Sequence, residues 1–251
     1  MPTSVPAPHN RRITARLLVP LGWGLFVSLL AALASHFAPE SYASSLVGFI
    51  FVGATALALR RSSASPGELG LEFGGLFDPA PLSVSRMTKE TGRALGIALL
   101  TAAIVFPPFT IGYLLWFSPA LPFSLERALL LGTPGPLSAL DLVLAHLLVV
   151  ALPEEVFFRG YLQSSLEPPR QQKRDSSPLL PLITSNLLTS LLFAAGHFMT
   201  DPRPSRLAVF FPSLLFGLLR QRTGGVGASI VFHALSNLYS AALAAGFGAA
   251  T

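Results

Sequence analysis

The chain has 251 residues, of which 51% are hydrophobic and only 12% are charged, and its mean hydropathy is +0.60. A soluble domain carries about 25% charged residues, so this composition excludes an ordinary soluble protein and indicates an integral membrane protein. The net charge of +5 does not indicate nucleic-acid binding, because the basic residues lie between apolar segments rather than in one patch. With no cysteine, the chain has no disulfide, no thiol nucleophile and no thiolate metal site.

The apolar segments predict an all-α, polytopic bundle of about seven transmembrane helices, because about 20 apolar residues suffice to cross a bilayer. In chain order the predicted helices cover residues 17–37, 42–59, 94–117, 137–166, 179–199, 207–219, the shortest, and 226–247. The first resembles a signal peptide, but it is long for one and further helices follow, so we interpret it as retained. Pro107 and Pro108 predict a kink in the third helix, and residues 62–93 form an extramembrane connector rich in Gly, Pro and Ser.

The basic residues predict how the protein is oriented. Most of them fall on one side of a seven-helix arrangement, which the positive-inside rule makes cytoplasmic. The N-terminus is then cytoplasmic and the C-terminus lies outside, in the plasma (inner) membrane if the protein is bacterial. Arg203 and Arg206 fall on the opposite side.

Two adjacent glutamates lie at the end of an apolar run in the stretch "LPEEVFFRG". Ionisable groups within a membrane segment cost roughly 2.5 to 3.5 kcal/mol each, which makes them functional candidates. Glu155 and Arg159 are four residues apart and can form an ion pair on one helix face, which leaves Glu154 free to act as a general base. Pro153 perturbs the helix there and can admit water. The competing interpretation is that both acids are the solvated end of the fourth helix.

Three histidines also lie in apolar surroundings, at positions 146, 197 and 233. His197 follows Phe193 by one helical turn, although a lone histidine near a helix end is more often an interfacial residue. His233 and Asn237 are one turn apart, so both can offer N–H donors to a developing oxyanion. Interhelical hydrogen bonds that hold the bundle together are the alternative for this pair.

Together these stretches resemble the CAAX prenyl protease 2 and lysostaphin-resistance protein A-like family of intramembrane proteases, also called the CPBP or ABI family. The first family motif appears as "PEEVFFRG", the second as Phe193 to His197, and the third as His233 to Asn237. The resemblance divides the chain into residues 1–136, which carry no signature, a catalytic helical region at 137–240, and a C-terminal end at 241–251.

The resemblance implies a role for each matching residue. Glu154 is expected to activate water, His197 to hold that water, and His233 with Asn237 to stabilise the oxyanion, while Glu155, Arg159 and Phe193 support them. The reaction would be hydrolysis of a peptide bond near the end of a membrane-embedded or lipidated protein or peptide substrate, with the lipid bilayer as the other partner. No metal cofactor is favoured, although Glu154, His197 and His233 would supply three ligands to zinc.

Two other functions compete with this prediction. In a serine protease, Ser229 would act with His233 four residues later, but "GASIVFH" lacks a glycine-rich nucleophile loop and the glutamates would have no role. In a non-catalytic immunity, scaffold or transport protein of the same family, the polar residues would serve the structure alone.

Overall fold

The computed structural model describes residues 9–62, 65–71, 82–167 and 179–248, and all regular structure in these ranges is helical. We number eight helices in chain order. They are α1 (His9–Phe37), α2 (Glu40–Arg61), α3 (Val84–Phe117), α4 (Leu125–Leu129), α5 (Pro136–Leu166), α6 (Leu179–Thr200), α7 (Phe210–Thr223) and α8 (Gly227–Gly246). A 3-10 helix at Pro204–Val209 precedes α7.

The all-α membrane bundle predicted from the sequence is confirmed. Six of the described helices, α1, α2, α3, α5, α6 and α8, are long and apolar enough to span a membrane. The predicted sixth span is α7, which has 14 residues. At 1.5 Å per residue it covers only about 21 Å, less than the roughly 30 Å of a bilayer core.

One prediction about the third helix needs correction. Helix α3 begins at Val84 rather than near residue 94, because Ser83 caps it by accepting a hydrogen bond from the Arg86 backbone N–H. The end of the predicted connector is therefore helical. Pro107 and Pro108 both lie inside this helix. The rest of the connector at residues 72–81 and the basic loop at 168–178 lie outside the described residues.

Helix α5 carries the two glutamates and is not a regular α-helix. Two π-helical stretches, Ala145–Ala151 and Val156–Gln163, flank the short α-helical turn Leu152–Glu155. Pro153 lies within that turn and cannot donate a backbone hydrogen bond. On α2, Gly48 lets the two helices approach closely, because a Cβ there would lie only 2.9 Å from the Val149 carbonyl oxygen. Widened helical turns of this kind occur often at functional sites.

Three apolar clusters surround the middle of α5. One joins α1, α2, α5 and α6 through residues such as Val27, Phe51 and Phe158. A second joins α3, α7 and α8 through Ala98, Phe216 and Phe232. The third joins α5 and α8 to residues 65–71 of the connector. The polar residues singled out from the sequence lie where these clusters meet.

A polar ladder links α5 to α7, which run parallel to each other. Its steps are four residues apart on both helices. Arg159 Nη2 donates to Ser213 O (3.1 Å) and Oγ (2.6 Å), and Gln163 Nε2 donates to Gly217 O (3.1 Å). Gln221 Nε2 completes the ladder by donating to Glu167 Oε1 (3.1 Å). Because no water competes in the bilayer core, such bonds fix the register of the two helices.

Residues 65–71 of the connector pack under the turn between α7 and α8. Leu69 and Leu71 are buried there, and Gly70 O accepts a hydrogen bond from the Val226 backbone N–H (3.1 Å). Gly70 has φ +69°, and any Cβ there would lie 2.8 Å from the Gly224 carbonyl oxygen. A glycine is therefore required at this contact.

Candidate active site

Glu155 lies at the centre of the polar residues and is fully buried. The ion pair expected from its spacing is present, with Arg159 Nη1 3.1 Å from Glu155 Oε1. The same oxygen also accepts a hydrogen bond from His233 Nδ1 at 3.0 Å. Glu155 therefore joins the first sequence motif to the third, which spacing along the chain does not reveal.

Glu154, the preceding residue, has a different environment. Its side chain is 12% exposed, and its Oε2 atom is enclosed without a hydrogen-bond partner among the described residues. His233 Nε2 lies 3.9 Å from this oxygen, and His197 is within electrostatic range of the carboxylate. The two adjacent glutamates thus separate into one that is held through Oε1 by Arg159 and His233 and one that makes no hydrogen bond within the described residues.

His197 and Phe193 lie on α6, beside the glutamates. His197 Nδ1 donates to the Phe193 carbonyl oxygen at 3.0 Å, because a carbonyl can only accept. A neutral His197 then has an unprotonated Nε2, which can accept a hydrogen bond from water. The Phe193 ring contacts both imidazoles, with centroid distances of 4.4 Å to His197 and 5.9 Å to His233.

Aromatic rings enclose the Arg159 guanidinium. Its central carbon lies 4.6 Å from the Phe193 ring centroid and 5.1 Å from that of Phe216. With the ion pair to Glu155 and the hydrogen bonds to Ser213, these rings compensate a charge that is fully buried. Arg159 therefore belongs both to the polar ladder and to the candidate site.

His233 is held on two sides. Phe216 stacks on its ring at 4.6 Å and 15°, and Glu155 binds its Nδ1. A carboxylate only accepts, so Nδ1 carries the proton and Nε2 is the atom left for chemistry. Asn237 lies one turn further along α8 and is partly buried. Within the described parts of the chain, its side chain makes no hydrogen bond.

Sequence reasoning missed two residues of this arrangement, Ser213 and Phe216. Both lie on α7, which carries none of the three motifs, and an apolar helix of this kind offers no pattern that marks them. The serine-protease alternative receives no support from the geometry, because Ser229 is fully buried and donates to the Phe216 carbonyl oxygen at 2.8 Å.

The predicted zinc ligands are not arranged as a metal site. Over residues 9–62, 65–71, 82–167 and 179–248, no three His, Asp or Glu side chains are grouped as the ligands of one ion would be. Zinc is held by ligand atoms about 2.0–2.2 Å from the ion, and Glu154, His197 and His233 are not grouped in that way within the described residues.

A charged cluster lies beyond the end of α6 that carries His197. Arg203 and Arg206 both bind the Asp201 carboxylate, the latter with Nε 2.8 Å from Oδ2. These hydrogen bonds, chiefly the one from Arg203, lower the pKa of Asp201 to about 2, and Asp201 in turn raises the pKa of Arg203. Arg206 lies within electrostatic range of His197. The two arginines that violate the predicted charge asymmetry are thus partly neutralised.

Comparison with known proteins identifies the region that holds this site. Residues 136–239 match the family model of the Rce1-like type II CAAX prenyl endopeptidases. No curated protein and no solved structure shows significant similarity to the chain. The match runs from the start of α5 into α8 and contains all three motifs, so this region of the chain is similar to the type II CAAX prenyl endopeptidases.

Proposed function

We propose that this chain is an endopeptidase of the CAAX protease type in which Glu154 activates a water molecule against a peptide bond. The proposal is carried by the different partners of the two adjacent glutamates. Glu155 Oε1 is bound by both Arg159 and His233, whereas Glu154 makes no hydrogen bond among the described residues and its Oε2 atom is enclosed. Buried polar atoms in native proteins are rarely left without a hydrogen-bond partner, and a water or substrate group bound at this oxygen would provide one.

His197 is suited to hold the attacking water. With its Nδ1 proton given to the Phe193 carbonyl, its Nε2 accepts one hydrogen of the water, and Glu154 accepts the other. The oxygen of that water is then free to attack the carbonyl carbon of the substrate. One proton passes to Glu154 as the new carbon–oxygen bond forms.

His233 is suited to stabilise the resulting oxyanion as an imidazolium. Its Nδ1–H is donated to Glu155, so Nε2 donates only if it is also protonated. The cations Arg159 and His233 then balance the anions Glu154 and Glu155. Asn237, one turn along α8, is the second proposed donor to the oxyanion. When the carbon–nitrogen bond breaks, Glu154 returns its proton to the leaving amine, so no acyl-enzyme forms.

The family description supports the substrate class that we propose. The matching model is that of a type II CAAX prenyl endopeptidase, and we propose that this chain cleaves a peptide bond near the C-terminus of a lipidated or membrane-embedded protein. The apolar surface of the helices, which exposes Phe49, Ile104 and Leu115 among others, suits access of such a substrate from the bilayer.

The test is cleavage of a farnesylated fluorogenic CAAX peptide by purified protein with Glu154→Gln. We expect cleavage to fall by about 10²- to 10⁴-fold, the usual contribution of a general base. The matched control is Glu90→Gln, an equal charge change at an exposed position of α3. Near-normal cleavage by Glu154→Gln would exclude the proposed base. A parent protein that cleaves neither this peptide nor any protein in a membrane proteome would favour the non-catalytic alternative.

Metal dependence is tested on the same protein. After a chelator has stripped metals from the preparation and metal analysis has verified their removal, we expect cleavage to continue at an unchanged rate. Activity that disappears and returns only with added zinc would contradict the water-activation scheme.

A further inference from the structure

His146 is an ionisable group in α5 that the proposed mechanism does not use. It lies in the first π-helical stretch, Ala145–Ala151, eight residues before Glu154. In a regular α-helix, residues eight apart are offset by about 80° around the helix axis. In a π-helical turn, each backbone N–H bonds to the carbonyl five residues back rather than four, so each turn contains more residues. Eight residues across such a stretch therefore come closer to two full turns. The distortion of α5 therefore brings His146 towards the side of the helix that carries Glu154.

The His146 imidazole has an unsatisfied polar atom. Its Nδ1 is enclosed and makes no hydrogen bond within the described ranges of the chain, although the side chain as a whole is only partly buried. In a membrane segment water does not relieve such an atom, and the cost of leaving it unpaired is about 1–3 kcal/mol.

His146 also lies close to the third motif. It is within electrostatic range of His233, and its neighbour Leu147 packs against the buried cluster that contains Ile230 and Ala234 on both sides of His233 in the sequence. The π-helical stretch thus lies against α8 beside the proposed oxyanion-stabilising residue. A substrate carbonyl bound at His233 would have its neighbouring peptide groups near His146.

We propose that His146 is a substrate-binding residue whose imidazole hydrogen-bonds a backbone peptide group of the substrate next to the scissile bond. The inference rests on the proposed function, because it takes the position of the scissile carbonyl from Glu154 and His233. A peptide group offers both an N–H donor and a carbonyl acceptor, and a neutral imidazole can pair with either. Bound substrate then supplies the partner that the free protein lacks.

The experiment compares His146→Leu and His146→Gln with the parent protein, using the same farnesylated CAAX peptide and the thermal midpoint in detergent. For His146→Leu we expect KM to rise about tenfold, the value of one hydrogen bond, with kcat nearly unchanged. The thermal midpoint should be equal or higher, because an unsatisfied polar atom has been removed. His146→Gln restores a donor and an acceptor and should recover part of the loss in KM. Leu148→Ala, on the exposed surface of the same helix, is the control that leaves KM unchanged.

Two results would overturn the proposal. A clear fall in the thermal midpoint of His146→Leu would show that the imidazole stabilises the bundle itself, and an unchanged KM would show that it does not bind substrate. Binding of the peptide to Glu154→Gln, with and without His146→Leu, separates this proposal from the catalytic one. Cleavage that survives in Glu154→Gln would defeat the proposed base, whereas binding that is equal in both variants would defeat the role of His146.

Discussion

The polar ladder between α5 and α7 lies next to the candidate active site and shares Arg159 with it. The two regions differ in how their buried polar atoms are paired. In the ladder, side-chain donors reach backbone carbonyls or a carboxylate of the facing helix, and among the described residues one acceptor, Gln163 Oε1, lacks a partner. In the site, one oxygen on each glutamate and Nδ1 of His146 have none. Arg159 Nε, which the two regions share, also makes no hydrogen bond within the described residues. The unpaired carboxylate oxygens of the site are available to a bound water or substrate group.

The largest expected effect concerns Glu155, which serves both regions. Glu155→Ala leaves the buried Arg159 charge without its ion pair, and removal of one partner of a buried pair costs about 3–5 kcal/mol. It also frees the Nδ1 atom of His233. We expect a large fall in the free energy of unfolding together with loss of cleavage, measured by denaturation in detergent and by the peptide assay. Glu90→Ala breaks an exposed pair with Arg86 and should change stability by less than about 1 kcal/mol. A Glu155→Ala protein as stable as the parent would show that Arg159 does not need the pair.

A smaller effect is expected at Gly217, in the ladder only. A Cβ at this position would overlap the Asn186 Oδ1 atom and approach Gln163 Oε1 to 2.8 Å. Asn186 is held by a hydrogen bond to Leu214 O, so it cannot move without loss. Gly217→Ala should lower stability by about 1–3 kcal/mol, while the folded fraction keeps a normal KM. Gly112→Ala in α3, where a Cβ meets no atom within 4 Å, is the control. If Gly217→Ala abolished cleavage without a loss of stability, the separation between ladder and site would be wrong.

The smallest effect concerns the charged cluster at Asp201, outside both regions. Its pKa is about 2 in the folded protein, below the ordinary 3.8, because Arg203 and Arg206 bind the ionised carboxylate. A lowered pKa stabilises the folded state above the ordinary value, and that stabilisation is lost as the pH falls from about 4 to about 2. Asp201→Asn should therefore lower the thermal midpoint slightly at pH 7 and not at pH 2. An equal difference at both pH values would contradict the assigned ion pairs.

The sequence was sufficient to predict features that depend on local spacing. The apolar segments predicted the helices, and the four-residue step predicted the ion pair between Glu155 and Arg159. It could not predict the hydrogen bond from His233 to Glu155, because 78 residues separate them and only the folded bundle brings them together. Hydropathy also placed the start of α3 too late, since Lys89, Glu90 and Arg93 reduce the apolar signal without preventing a helix.

The positions of Ser213 and Phe216 were equally inaccessible to sequence reasoning, and the sequence marked His146 only as a histidine in apolar surroundings. These positions depend on the parallel packing of α7 on α5 and on the widened turns of α5. No spacing of residues in the sequence predicts either feature. The short connector segment at residues 65–71 was expected to lie outside the membrane. Its packing under the α7–α8 turn depends on tertiary contacts to Gly160 and Gly224.

The connector segment at residues 65–71 packs against the part of the chain that carries the three motifs. A Cβ at Gly160 would lie only 2.7 Å from Leu71 Cδ2. The glycine that ends the first motif therefore leaves room for Leu71, a residue from the N-terminal part of the chain. The family match begins at residue 136, but contacts between side chains cross that position. Hybrids that exchange the N-terminal helices would have to keep residues 65–71 together with residues 136–239, or redesign both surfaces together.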